Sequence, residues 1–140
     1  MRKEVYALGF CIIIIVGFLS GCQESETGAI IFEGVSIDSS IVELSNASFD
    51  IISNSQDEVI QVEVYYQLHN IAGRDLYKVR IFCDFYDDND NLINRQGPKN
   101  ISIMYTDYVE TESPGFNQFI YDGDDAGLVR RAVLSVFEEE

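Results

Sequence analysis

Hydrophobic residues recur at every second position through the middle of the chain. From Val59 to Leu68, the residues Ile60, Val62, Val64, Tyr66 and Leu68 alternate with Gln61, Glu63, Tyr65 and Gln67. From Lys78 to Tyr86, Val79, Ile81, Cys83 and Phe85 alternate with Arg80, Phe82, Asp84 and Tyr86. Period two places successive side chains on opposite faces of a strand, so both runs predict strands with one buried and one wet face. Shorter apolar pieces predict more strands: Ala29–Phe32, the stretch holding Val35, Ile37, Ile41 and Val42, Phe49–Ile52, Leu92–Arg95, Asn100–Met104, Phe116–Tyr121 and Ala132–Phe137. Turn-forming clusters, Ser53–Asp57 and Asp87–Asn91, separate several of them. Asp124–Arg131 has room for one helical turn. Many short strands divided by turns predict an all-β fold, an antiparallel sandwich.

The first 22 residues follow a different pattern. Arg2 and Lys3 precede an unbroken apolar stretch from Val5 to Leu19, which ends in Leu19-Ser20-Gly21-Cys22. Fifteen residues of helix reach only about 22 Å, short of a hydrocarbon core of ~30 Å. A positive start, a short apolar middle and small residues at the end have the layout of a secretory signal peptide. The tetrapeptide Leu19-Ser20-Gly21-Cys22 resembles the lipobox of prokaryotic lipoproteins. That resemblance implies transfer of a two-chain lipid to the Cys22 thiol, cleavage before Cys22, and attachment at the outer face of a membrane. Each buried methylene adds ~0.8 kcal/mol, so two chains hold a protein stably where one does not. The expected organisation is a signal peptide over 1–21, a lipidated cysteine and polar tether over 22–28, and a sandwich domain over 29–140.

Charge and cysteine content narrow the field. The 140 residues carry nine Lys plus Arg against 24 Asp plus Glu, a formal net charge of −15. Such a balance excludes nucleic acid as a partner, because phosphate contacts need a basic patch. It equally disfavours an electrostatic grip on anionic headgroups. Of three cysteines, Cys11 falls in the signal segment, Cys22 is the lipid acceptor and Cys83 is left without a partner. No internal disulfide is expected, and stability must come from the core.

A second resemblance rests on the middle of the chain. Val64-x-x-x-Leu68-His69-Asn70 is followed by Leu76-x-x-Val79-x-Ile81-x-Cys83-x-Phe85-Tyr86-Asp87, then by Asn91-Leu92-Ile93, and later by Ser113-Pro114-Gly115 ahead of Phe116 and Phe119. This order is similar to the FxLYD domain, an immunoglobulin-like module of prokaryotic envelope lipoproteins. The likeness spans roughly residues 59–137 and implies an immunoglobulin-like sandwich in the cell envelope. It implies no catalytic residue, since its motifs are packing and turn motifs. Two positions depart from the family pattern: Cys83-Asp84-Phe85 replaces the usual hydrophobic lead-in, and Asp90 stands where glycine is common.

Candidate chemistry is sparse. Asp87, Asn89 and Asn91 have the spacing of the first EF-hand ligands, but Pro98 falls where the bidentate Glu belongs and Leu92 where glycine does. A solvated hairpin turn fits better. His69 and Cys83 are the only imidazole and thiol of the domain, and strand parity puts them on opposite faces. No metal site or cofactor is predicted. The carboxylates of Asp122-Gly123-Asp124-Asp125 and Glu138-Glu139-Glu140 read as solvated. Asn46-Ala47-Ser48 and Asn100-Ile101-Ser102 match the N-glycosylation acceptor sequence. The out-of-phase rings Tyr65, Phe82 and Tyr86 predict an exposed aromatic row, the residue type that anchors interfaces. The expected function is a non-catalytic binding or structural module of the cell envelope, facing an envelope protein or glycan. An accessory subunit of a surface transporter or assembly complex, and an enzyme with an unrecognised site, are the alternatives.

Overall fold

The two alternating runs become the central strands of two different sheets. The computed structural model describes residues 32–108 and 117–140. The signal segment, Cys22, the tether and the apolar piece Ala29–Ile31 lie outside the described residues, as does Ser113-Pro114-Gly115. One sheet holds four strands in the order β1 (Val35–Asp38), β7 (Arg131–Glu138), β4 (Leu76–Tyr86) and β5 (Leu92–Met104). The other holds β2 (Val42–Ser53), β3 (Val59–Asn70) and β6 (Gln118–Tyr121). Together they make an all-β sandwich. Every pairing is antiparallel except β1 with β7, which run parallel from Val35↔Ala132 to Asp38↔Ser135.

Several elements differ from their sequence pattern, and the stretch holding Val35, Ile37, Ile41 and Val42 divides between β1 and β2, which join different sheets. Phe49–Ile52 belongs to the 12-residue β2, which runs through Ser45, Asn46 and Ser48 because an edge strand tolerates polar side chains and a bulge between Leu44 and Asn46 absorbs a residue. Leu92–Arg95 and Asn100–Met104 are likewise one strand, β5, interrupted in sequence by Gly97-Pro98. At a sheet edge the missing proline N–H costs no ladder bond. Gly97, at φ +112, fits only as glycine, since a Cβ would stand 2.6 Å from the Ile81 carbonyl oxygen and 3.1 Å from the Phe82 Cα. The helical turn is a 3-10 turn over Ala126–Leu128.

The inward faces follow the alternation. Val62, Val64, Tyr66 and Leu68 of β3 meet Val79, Ile81, Cys83 and Phe85 of β4, all of them buried. Ile60 departs from the pattern and is exposed, because the register against β2 shifts between Ile52↔Gln61 and Ser53↔Val59, so that Ile60 falls in a bulge and Val59 packs on the core instead. The Phe85 ring of one sheet stacks on Tyr121 of the other at 5.5 Å, and Tyr66 stacks on Phe119 at 5.6 Å.

Side chains tie the margins of the two sheets. Asn70, fully buried, shares its amide N–H groups among the carbonyls of Arg74, Met104 and Tyr105 and accepts from the Ala72 N–H. It thereby joins the end of β3 to the end of β5. On the opposite margin, Gln96 donates to the Ile120 carbonyl at 2.5 Å and Lys99 to the Gln118 carbonyl, which occupies the open edge of β6. Glu138 accepts from both terminal nitrogens of Arg74 and from the Tyr77 N–H, which holds its carboxyl at about 2.

Two outcomes follow from this packing. Phe85→Ala leaves a ring-sized void beneath Tyr121 and lowers unfolding free energy by about 3–5 kcal/mol, measured by chemical denaturation. The Glu138 carboxyl is lowered by its partners, so its contribution is complete above its ordinary value of 4.5 and is lost as pH falls towards 2. The thermal midpoint of the native chain therefore falls more steeply across that interval than that of Glu138→Gln. Parallel curves would exclude the clasp.

Candidate binding face on the four-stranded sheet

The outer face of the four-stranded sheet carries the outward residues of β4: Arg80, Phe82, Asp84 and Tyr86. Register places Phe137, Ser135, Val133 and Arg131 of β7 beside them, in that order. On the other flank, β5 sets Asn100 against Arg80, Arg95 against Asp84 and Leu92 against Tyr86. The Phe82 ring lies across the bulge at Gly97 and meets Phe137 edge-on at 6.3 Å.

Three guanidinium groups lie over these rings. Arg80 and Arg95 sit 5.5 Å and 5.8 Å from the centre of Phe82, and Arg131 sits 4.2 Å from the centre of Tyr86. A cation over an aromatic face is attracted by the ring quadrupole, about 0.5–1 kcal/mol at exposed sites. Each arginine also has a carboxylate partner. Arg95 grips Asp84 with two 2.6 Å bonds, Arg131 donates to Asp90 at 2.8 Å, and Arg80 lies 3.6 Å from Glu139. Asp84 is 4% exposed, and a carboxylate so placed needs the forked partner directly above it. Sequence alternation marked Asp84 as a wet position and gave no sign of this burial.

The predicted aromatic row is only partly assembled. Phe82 and Tyr86 share the outer face of β4, and both are half-buried under their arginines. Tyr65 is elsewhere: it points outward from β3, on the other side of the sandwich, where Gln67 donates to its hydroxyl at 2.9 Å. The expectation of one row required β3 and β4 to be neighbours. The connection between them crosses from one sheet to the other, so their outer faces point in opposite directions.

The two outer faces differ in charge. Among the described strands, Lys and Arg side chains occur only on β4, β5 and β7: Arg80, Arg95 and Arg131 stand on the outer face, whereas Lys99, opposite the inward Ile81, reaches across to β6. The outer face of the three-stranded sheet carries Glu43, Asp50 and Glu63 instead. His69 belongs to that face and meets Glu43 at 2.8 Å.

His69 and Cys83 are not a catalytic pair. They stand on different sheets, His69 outward and Cys83 inward among apolar side chains. Burial, reinforced by the neighbouring Asp84 charge, pushes the Cys83 thiol far above its ordinary value. The Asp87 carboxylate is consumed by its own turn: it accepts from the Asn91 side-chain amide and from the N–H groups of Asn91 and Asn89, which lowers its pKa. Asp90 takes the left-handed conformation, φ +64, at the position where glycine was expected. Among the described residues no three His, Cys, Asp or Glu side chains are grouped to hold a metal ion. A half-open cleft of about 580 Å³ beside Glu58, Val59, Ile60, Asp122 and Asp124 is acidic. There Tyr121 donates to Asp125, and its phenol is pushed up to about 12. Asn46 and Asn100 are both exposed on edge strands. The Ser48 hydroxyl of the first acceptor sequence is bonded to Asp50 at 2.7 Å. Leu19, Ser20, Gly21 and Cys22 lie outside the described residues.

No family model matches the sequence, and no curated protein matches it. Among solved structures, Campylobacter jejuni cj0090 is similar over 76% of this chain and 99% of its own, at 11% identity and a TM-score of 0.41. A likeness that distant decides neither fold nor activity.

The environment of Cys83 has a direct consequence. The native chain leaves the Cys83 thiol unreactive towards maleimides, and reaction appears only with denaturant. Rapid native labelling, counted by mass, would mean that β4 presents its other face to the core.

Proposed function

We propose that this chain is an exported lipoprotein, anchored through lipid on Cys22 at the outer face of a membrane, that acts as a non-catalytic binding module of the cell envelope. One observation carries the binding half of this reading. In a chain of net charge −15, the outer face of one sheet gathers three arginines with Phe82, Tyr86 and Phe137, while the opposite face has no strand Lys or Arg and carries Glu43, Asp50 and Glu63 beside Tyr65, Ile52 and Ile120. Arginine and aromatic side chains are the types that dominate interface energetics. The anchoring half is supported by Leu19-Ser20-Gly21-Cys22 at the end of a short apolar stretch, and by the FxLYD-like order of the strand and turn motifs.

The anchoring half is tested by metabolic labelling with a radioactive lipid precursor. The native chain takes up label and loses its first 21 residues, and intact cells leave the domain open to added protease. Cys22→Ser accumulates as an unlabelled, full-length precursor. Label on that variant would overturn the assignment.

A further inference from the structure

The geometry points to a second copy of this chain as the occupant of the outer face of the four-stranded sheet. The two copies meet face to face about a two-fold axis that runs along the strands. This identifies the partner of the anchored binding module and rests on that reading.

Charge restricts where two such copies can touch. The net charge of −15 makes acid meet acid almost anywhere on the surface. On this face Arg80, Arg95 and Arg131 stand against Glu139, Asp84 and Asp90, and Asp38 of β1 lies outward beside Ser135, so carboxylates are largely offset there. The outer carboxylates of that set, Asp90 and Glu139, have side chains 79% and 56% exposed. Facing another copy, Arg131 and Arg80 can exchange their own carboxylates for the partner's, keeping those charges paired. A face that supplies both halves of each ion pair is complementary to itself, which is what a two-fold interface requires. The opposite sheet, with Glu43, Asp50 and Glu63 and no strand Lys or Arg, cannot do this.

Apolar area supplies the attraction. Phe137 and Leu92 flank the arginines and are 54% and 53% exposed. The face measures roughly 30 by 19 Å from strand rise and spacing, the scale of the ~800 Å² per partner of a stable interface. Anchoring suits the same arrangement. The chain enters at Val35 beside Ala132, where β7 begins. An axis along the strands therefore leaves both N-termini at one end, facing one membrane. Confinement to that surface raises the effective concentration of each copy for the other.

The test uses the full lipidated chain in liposomes and a short bis-maleimide, with Cys22 blocked by lipid and Cys83 buried. Asn100→Cys introduces a thiol on the proposed interface, and Asp50→Cys introduces one on the opposite sheet. Asn100→Cys gives covalent dimers and Asp50→Cys gives background only. Adding Phe137→Glu, or independently Leu92→Glu, to Asn100→Cys lowers dimer yield about tenfold, a change of about 1.4 kcal/mol. Raising salt from about 0.05 to about 0.5 M increases the yield, because screening removes net repulsion while apolar contact persists. Equal yields from the two faces, no dimer from Asn100→Cys, or indifference to both glutamate substitutions would overturn the proposal. Lipid label on Cys22 in the same samples keeps the anchoring result separate from the dimer result.

Discussion

The two sheets share no main-chain ladder, so the sandwich depends on the apolar layer between them. Phe85 on Tyr121 is the contact where that dependence is concentrated, one ring from each sheet laid over the other. Cys83 is buried in the same layer without a disulfide partner, and no covalent tie reinforces it. Everything outward is positioned by this inward packing. Because Val79, Ile81, Cys83 and Phe85 are fixed inward, Arg80, Phe82, Asp84 and Tyr86 are fixed outward at the same spacing. The arginine–aromatic face is thus a consequence of how the core is filled.

The margins are closed by polar side chains. A sandwich of two short-edged sheets exposes unpaired backbone groups at each margin, and such groups invite pairing with other chains. Gln96 and Lys99 occupy the carbonyls of β6, while Asn70 and the Arg74–Glu138 pair close the other end. Gln96 and Lys99 therefore both hold the sheets together and limit pairing at the edge of β6. Of the two outer faces, only that of the four-stranded sheet sets arginines on its strands against its carboxylates in rough balance.

That balance has a physical origin in the burial of Asp84. A carboxylate at 4% exposure is tolerated because Arg95 lies directly over it in a two-bond fork, and Arg95 in turn is positioned over Phe82. Remove the ring and the guanidinium loses a support; remove the guanidinium and a buried charge is left alone. Arg80 and Arg131 are held less firmly, each against a carboxylate that is itself mostly in water. The face thus combines a fixed centre with exchangeable ends.

Alternation along β3 and β4 was legible in the sequence except at Ile60 and Asp84, and so were the inward rows, the inward position of Cys83, and the Asp87–Asn91 turn with Asp90 where glycine is common. These features depend on neighbours within a few positions, where strand geometry and turn chemistry act. Tertiary structure alone decided which strands stand side by side. Tyr65 and Phe82 carry the same local signature, an outward ring on an alternating strand, yet the crossing between β3 and β4 sends them to opposite sides. Gly97-Pro98 has the signature of a break, yet β5 runs through it because it lies at an edge. Asp84 has the signature of a wet residue, yet Arg95, eleven positions away, covers it. Period two tells which way a side chain points relative to its own strand. Which sheet that strand joins, and what lies across from it, is set by contacts between residues far apart in the chain.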